Sequence, residues 1–272
     1  MRSKQNEAVT SDRNCFFVLG PAGALNLEKS KMTAIERLNN ARSQAKSGQF
    51  AHALAELVWF HNYALQETPA LSGVRLSYAL QDWINLGTVY PLALTALKEI
   101  RDQKTARLLL GELARDAFRD VVAINEYLNT TSETYTLYVE LMTRQADLAA
   151  ACARSALPSI VDARDYRLAA NLMPAAEPAI RQSAQMLDQD VRTIKNRHFT
   201  NAPERWAYIR IYAESVQRLL TIIAGNGDLA EATRLKALSV SMIESPSLRR
   251  EVQAELSRPA KAPKPKFRRS VC

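Results

Sequence analysis

From Met32 onward, apolar side chains return every three or four residues, and each run of them ends at a short polar turn. That period fits the 3.6 residues of a helical turn and not the two-residue alternation of a strand. Ala34 to Lys46 reads as a first helix, stopped at Ser47-Gly48-Gln49. Phe50, Ala53, Leu54, Leu57, Val58, His61 and Leu65 fall along one stripe of a second. Glu67-Thr68-Pro69 ends it, because proline biases the residue before it away from helical geometry. Leu76, Leu80 and Trp83 occupy i, i+4 and i+7 of a third helix, expected from Ser72 to Leu86, with Gly87 in the left-handed position that closes a helix. Pro91 suits the first turn of a fourth, where its missing N–H costs nothing. The stretch DWINLGTVYPLAL, Asp82 to Leu94, is therefore expected to join two packed helices. Beyond Met173 the pattern lengthens, with helices expected over Glu177 to Lys195 and Pro203 to Ala224, then a sharp turn at Gly225-Asn226-Gly227-Asp228 and a last helix from Ser245-Pro246 to about Ser257. The expected fold class is all-α.

Four segments share a local design: Gln49-Phe50 with Ala53, Val89-Tyr90 with Ala93, Asp165-Tyr166 with Ala169, and Asp228-Leu229 with Ala232. Each opens a helix with a large apolar residue and sets an alanine three residues later, where a neighbouring helix can approach closely. The alanines lie 40, 76 and 63 residues apart, and the middle interval, close to two units of 38, places a further copy around Thr134 to Leu141. These are the marks of an internal repeat.

Trp83-x2-Leu86-Gly87-x2-Tyr90 resembles the first part of the tetratricopeptide repeat, and Gly48-Gln49-Phe50-x2-Ala53-Leu54 and Gly227-Asp228-Leu229-x2-Ala232 resemble its middle. The runs VWFHNYAL (Val58 to Leu65), GVRLSYALQDWINLGTVYPLALTALKEIRD (Gly73 to Asp102) and FRDVVAINEYL (Phe118 to Leu128) are similar to a group of bacterial tetratricopeptide-like proteins with no assigned activity. The likeness covers Met32 to Asn129 best. A spacing near 40 exceeds the ~34 residues of that repeat, which leaves a HEAT-like solenoid as the alternative. The resemblance implies a right-handed α-solenoid of stacked antiparallel helix pairs over residues 32–257, with shorter repeats over 32–173 and longer helices over 174–257. It also implies a protein or peptide partner held on the concave face by side chains of the inner helices. Arg75, Asp82, Asn85, Arg119 and Asn125 are the candidates there.

Composition and charge narrow the picture further. The chain carries a formal +8, but residues 258–272 hold six Lys or Arg and no acid, and residues 1–31 hold five bases against three acids. The body is thus near neutral, without the excess charge that holds a phosphate backbone. Residues 258–272 are mostly Pro, Lys and Arg, too poor in apolar side chains to fold. Residues 1–31 contain the short apolar run Cys15 to Leu19. Its brevity, with Glu7 and Asp12 before it, argues for a disordered leader or an upstream extension over a secretion signal. Cys15, Cys152 and Cys272 are far apart and odd in number, giving neither a disulfide framework nor a metal-ligand spacing. A cytoplasmic protein is expected, with no membrane span, since no apolar run approaches ~20 residues.

No catalytic, cofactor-binding or metal-binding residue stands out, and a non-enzymatic protein is expected. His52 and His61, nine residues apart, fall on opposite sides of a helix, and His198 is remote. No phosphate loop, nucleophile elbow or paired-carboxylate motif is present. Trp59 and Phe60 are read as contacts between neighbouring repeats. The alternative function rests on the basic and aromatic residues from Arg192 to Tyr212. Arg192, Lys195, Arg197, Trp206 and Arg210, with the C-terminal tail, would track a single-stranded nucleic acid by stacking and phosphate contacts. The competing reading makes Trp206, Ile209 and Ala213 an ordinary core stripe.

Overall fold

A computed structural model of the chain describes residues 32–195 and 202–258. The helices are Ala34–Lys46 (α1), Phe50–Glu67 (α2), Ser72–Arg75 (α3), Tyr78–Val89 (α4), Pro91–Leu109 (α5), Arg115–Leu128 (α6) and Thr131–Arg144 (α7). They continue with Ala146–Asp162 (α8), Tyr166–Leu172 (α9), Ala176–Lys195 (α10), Ala202–Gly225 (α11), Leu229–Ser241 (α12) and Pro246–Leu256 (α13). A single 3₁₀ turn, Pro69–Leu71, precedes α3, and the described residues contain no strand, so the protein is all-α.

The helix ends follow from local chemistry. Thr33 caps α1 by accepting from the Glu36 N–H while the Glu36 carboxylate accepts from the Thr33 N–H at 2.7 Å, a reciprocal capping box. At the other end Gly48 takes φ +78°, which lets Gln49 N–H reach Gln44 C=O at 2.9 Å and Gly48 N–H reach Ala45 C=O, satisfying carbonyls the helix leaves open. Pro91 opens α5 as the first-turn rule expects.

Two expectations about the joint need correction. Ser72 to Leu86 is not one helix: α3 stops at Arg75, Ser77 adopts φ −131° and ψ −85°, and α4 starts at Tyr78. Gly87 does not end α4 either. It lies buried inside the helix, and a Cβ there would sit 2.4 Å from Leu94 Cγ, so glycine is present to let α4 and α5 close together. Nearby, the Trp83 indole N–H donates to the Ala93 carbonyl at 2.7 Å. The joint is a close helix–helix approach built from a glycine, an alanine and a hydrogen-bonded tryptophan.

Three of the four alanines of the shared design are in the core: Ala53, Ala93 and Ala169 are fully buried, and Ala232 packs half-buried against the last cluster. Phe50 and Tyr90, which hold equivalent places in the first two copies, stack on one another with ring centroids 6.1 Å apart. Among the described helices, α1 touches α4, α4 touches α6, α6 touches α8, α8 touches α11 and α11 touches α13. α5 also touches α7, and α10 touches α12. Helices meet chiefly those near them in sequence, and the core falls into three apolar clusters: one over α1, α2, α4 and α5 with Ile124 of α6, one over α6 to α9 with Leu108 of α5 and Ile222 of α11, and one over α10 to α13.

Candidate binding groove

An open groove of 260 Å³ lies between α1 and α4. Ala41, Ala45, Leu57 and Leu86 form an apolar floor, Val89 stands at its edge, and Arg42, Lys46, Asp82 and Asn85 supply the rim. Small residues on α1 create the depression, because alanine at Ala41 and Ala45 leaves space a leucine would fill. Arg42 donates its Nε–H to Asp82 at 2.7 Å and its Nη1–H to Asn39, tying α1 to α4 across one end of the groove. Asn85 is exposed, and its side-chain carbonyl accepts from Gln81 at 2.9 Å. Arg42 and Asp82 lie 40 residues apart, the same interval as Ala53 and Ala93. Residues one repeat apart become neighbours when repeats stack, and this was the signal by which sequence alone could have paired them.

Of the five residues assigned to the partner-binding face, only Asp82 and Asn85 line this groove. Arg119 is exposed on α6 and meets Asp116 at 3.5 Å. Arg75 and Asn125 are corrections, since both are buried and neither is available to a groove. The Arg75 guanidinium donates through Nη1 to Asp120 Oδ2 at 3.0 Å and through Nη2 to Asp120 Oδ1, and Nη1 also reaches the His61 carbonyl at 3.2 Å. Lys104 donates to the same Asp120 oxygen at 2.5 Å. One carboxylate thus gathers side chains from α3, α5 and α6 over the backbone of α2. Asn125 donates to Thr134 at 3.0 Å and accepts from Arg101, joining α5, α6 and α7.

Burial alone would raise the pKa of the Asp120 carboxyl, but the hydrogen bonds from Arg75 and the charges of Lys104 and Arg75 outweigh it and hold the carboxyl below its usual range. His61, packed edge-on against Trp83 at 6.1 Å, is pushed down to about 3, first by burial and then by the Arg75 and Lys104 charges, with Asp120 opposing. It is neutral in the folded protein, while the unfolded chain takes up a proton below about 6.5. Stability therefore falls as pH drops from that value toward 3, by about 1.4 kcal/mol per pH unit from this one group. Asp120 acts in the same direction only near and below its unfolded value of 3.8. Urea unfolding at about pH 6 and about pH 5 should show the slope, and His61→Leu should remove it.

Of the residues of the nucleic-acid alternative, Arg192 and Arg210 are already matched to acids. Arg192 pairs with Glu244, and Arg210 with Glu214 at 2.7 Å, its guanidinium 5.2 Å from the Trp206 ring centroid. The neighbouring Arg205 meets Glu251 at 2.6 Å. Lys195 is the last residue of α10, and Arg197 lies outside the described residues, as do residues 1–31 and 259–272. Ile209 and Ala213 are buried, whereas Trp206 is 45% exposed and so departs from the core stripe expected of it. Phe60 is fully buried, and Trp59 lies half-buried under Arg37, whose guanidinium is 4.2 Å from its ring.

Among the described residues no group of three or more His, Cys, Asp or Glu is placed to hold a metal ion, and no helix is long and apolar enough to cross a membrane. Burial raises the Cys152 thiol to about 11, so it is protonated and a poor nucleophile. No protein-family model, no curated protein and no solved structure matches this chain.

Proposed function

We propose that this protein is a non-enzymatic helical-repeat scaffold of the cytoplasm, a right-handed tetratricopeptide-like α-solenoid that holds a peptide or protein partner along its inner row of helices, beginning at the α1–α4 groove. The observation that carries the reading is the groove itself: an apolar floor, an exposed apolar edge at Val89, and a polar rim that includes the exposed Lys46 and Asn85. Such a combination of apolar contact and rim hydrogen bonds suits an extended segment. The matching of Phe50 with Tyr90 and of Arg42 with Asp82 supports stacked repeats. A scaffold whose contact surface is set by its own packing spends little ordering entropy upon binding.

The test is affinity capture of partners with mass spectrometry, comparing wild type with the double variant Lys46→Glu, Val89→Gln and with a control, Val139→Gln, on α7. The groove variant is expected to lose partner recovery by at least about tenfold while its melting temperature stays within ~2 °C of wild type. Equal recovery by the groove variant and the control would remove the groove from the account.

A further inference from the structure

A second cavity, of 330 Å³, opens between the C-terminal ends of α8 and α13 over the middle of α11. Its size is at the lower end of the about 300–1,000 Å³ typical of small-molecule sites. Unlike the α1–α4 groove it is densely charged. Three guanidiniums, Arg210, Arg218 and Arg258, face three carboxylates, Asp162, Glu214 and Glu255. Their charges cancel, so a polyanion meets three acids there and a polycation meets three bases. A complementary ligand is itself neutral in sum and carries both signs.

Four of the six charges are already matched: Arg210 to Glu214 at 2.7 Å and Arg258 to Glu255 at 2.6 Å. Arg218 and Asp162 make no ion pair or hydrogen bond among the described residues. They are near enough for Arg218 to act on the ionisation of Asp162. Asp162 is also the last residue of α8, where the negative end of the helix disfavours a carboxylate. Asp162 and Arg218 are both exposed, and crowding by the surrounding protein and the charge of Glu126 raise the proton affinity of Asp162, with Arg218 pulling the other way. A cation placed at Asp162 relieves that pressure. Arg218 always carries its charge and offers a planar fork of donors that fits a carboxylate.

We infer that the cleft between α8, α11 and α13 is a site for a small zwitterion of the amino-acid class, its ammonium on Asp162 and its carboxylate on Arg218. This site is independent of the α1–α4 groove, and neither reading falls with the other.

The test titrates the full-length protein with each standard protein amino acid by ligand-observed NMR and calorimetry. The best ligand is then repeated as its N-acetyl derivative, which lacks the ammonium, and as its amide, which lacks the carboxylate. One or more amino acids are expected to bind, and both derivatives to bind at least about tenfold more weakly. Asp162→Asn and Arg218→Gln are each expected to weaken binding by a similar factor with the melting temperature unchanged. No binding by any amino acid at ~10 mM, or derivatives binding within about twofold of the parent, overturns the inference without recourse to any variant.

Discussion

Asp120→Ala is expected to lower the unfolding free energy by about 3–5 kcal/mol, because it leaves the Arg75 guanidinium and the Lys104 ammonium without the anion they share. Arg75 has a side chain only 8% exposed and takes both its charge partner and its carboxylate hydrogen bonds from Asp120. Arg75→Ala should be destabilising in the same direction by a smaller amount, since Asp120 keeps Lys104. Urea denaturation of the two single variants and of the double variant measures the coupling, and the double variant should cost less than the sum of the singles. Replacing the pair with Arg75→Met and Asp120→Leu should recover much of the loss, because a buried ion pair contributes little beyond well-packed apolar groups of similar volume. Had Arg75 stood on an open groove, Arg75→Ala would leave stability within about 0.5 kcal/mol of wild type.

Ala93→Glu should abolish the cooperative native transition. Ala93 is fully buried where α5 meets α4, its carbonyl already accepts the Trp83 indole, and Gly87 next to Leu94 shows how little room separates the two helices. A carboxylate forced into that contact must lose its hydration without a partner, at a cost of several kcal/mol, which approaches the total stability of an ordinary domain. Two residues along the same helix, the exposed Thr95 gives the control: Thr95→Glu should change stability by no more than about 0.5 kcal/mol. Far-ultraviolet circular dichroism through a thermal ramp distinguishes the two.

The helices themselves were legible because their causes are local. The stripe from Phe50 through Ala53 and Leu57 to His61, the glycine after α1 and the proline opening α5 each act within one or two turns. Ala53, Ala93 and Ala169 could be read as contact points because their small size is itself the cause of close approach. Long-range choices were hidden. Arg75 belongs to a polar-looking stretch, and nothing near it tells that the chain breaks at Ser77 or that the guanidinium meets an aspartate 45 residues away. Gly87 had two sound explanations, a helix stop or a close approach, and only the position of Leu94 decides between them. For the groove, Asp82 and Asn85 were visible as polar residues on an inner helix. Arg42 and Lys46 were not singled out, and Val89 was read only as the opening of a repeat segment, since their part in the groove comes from which helix lies beside them.

The central claim is that helix pairs stack in series along one row and so present a long surface to a partner. Small-angle X-ray scattering of residues 32–258 tests it most directly. Serial stacking predicts a radius of gyration well above the ~17 Å of a compact chain of this length, and a value at that compact limit would contradict it.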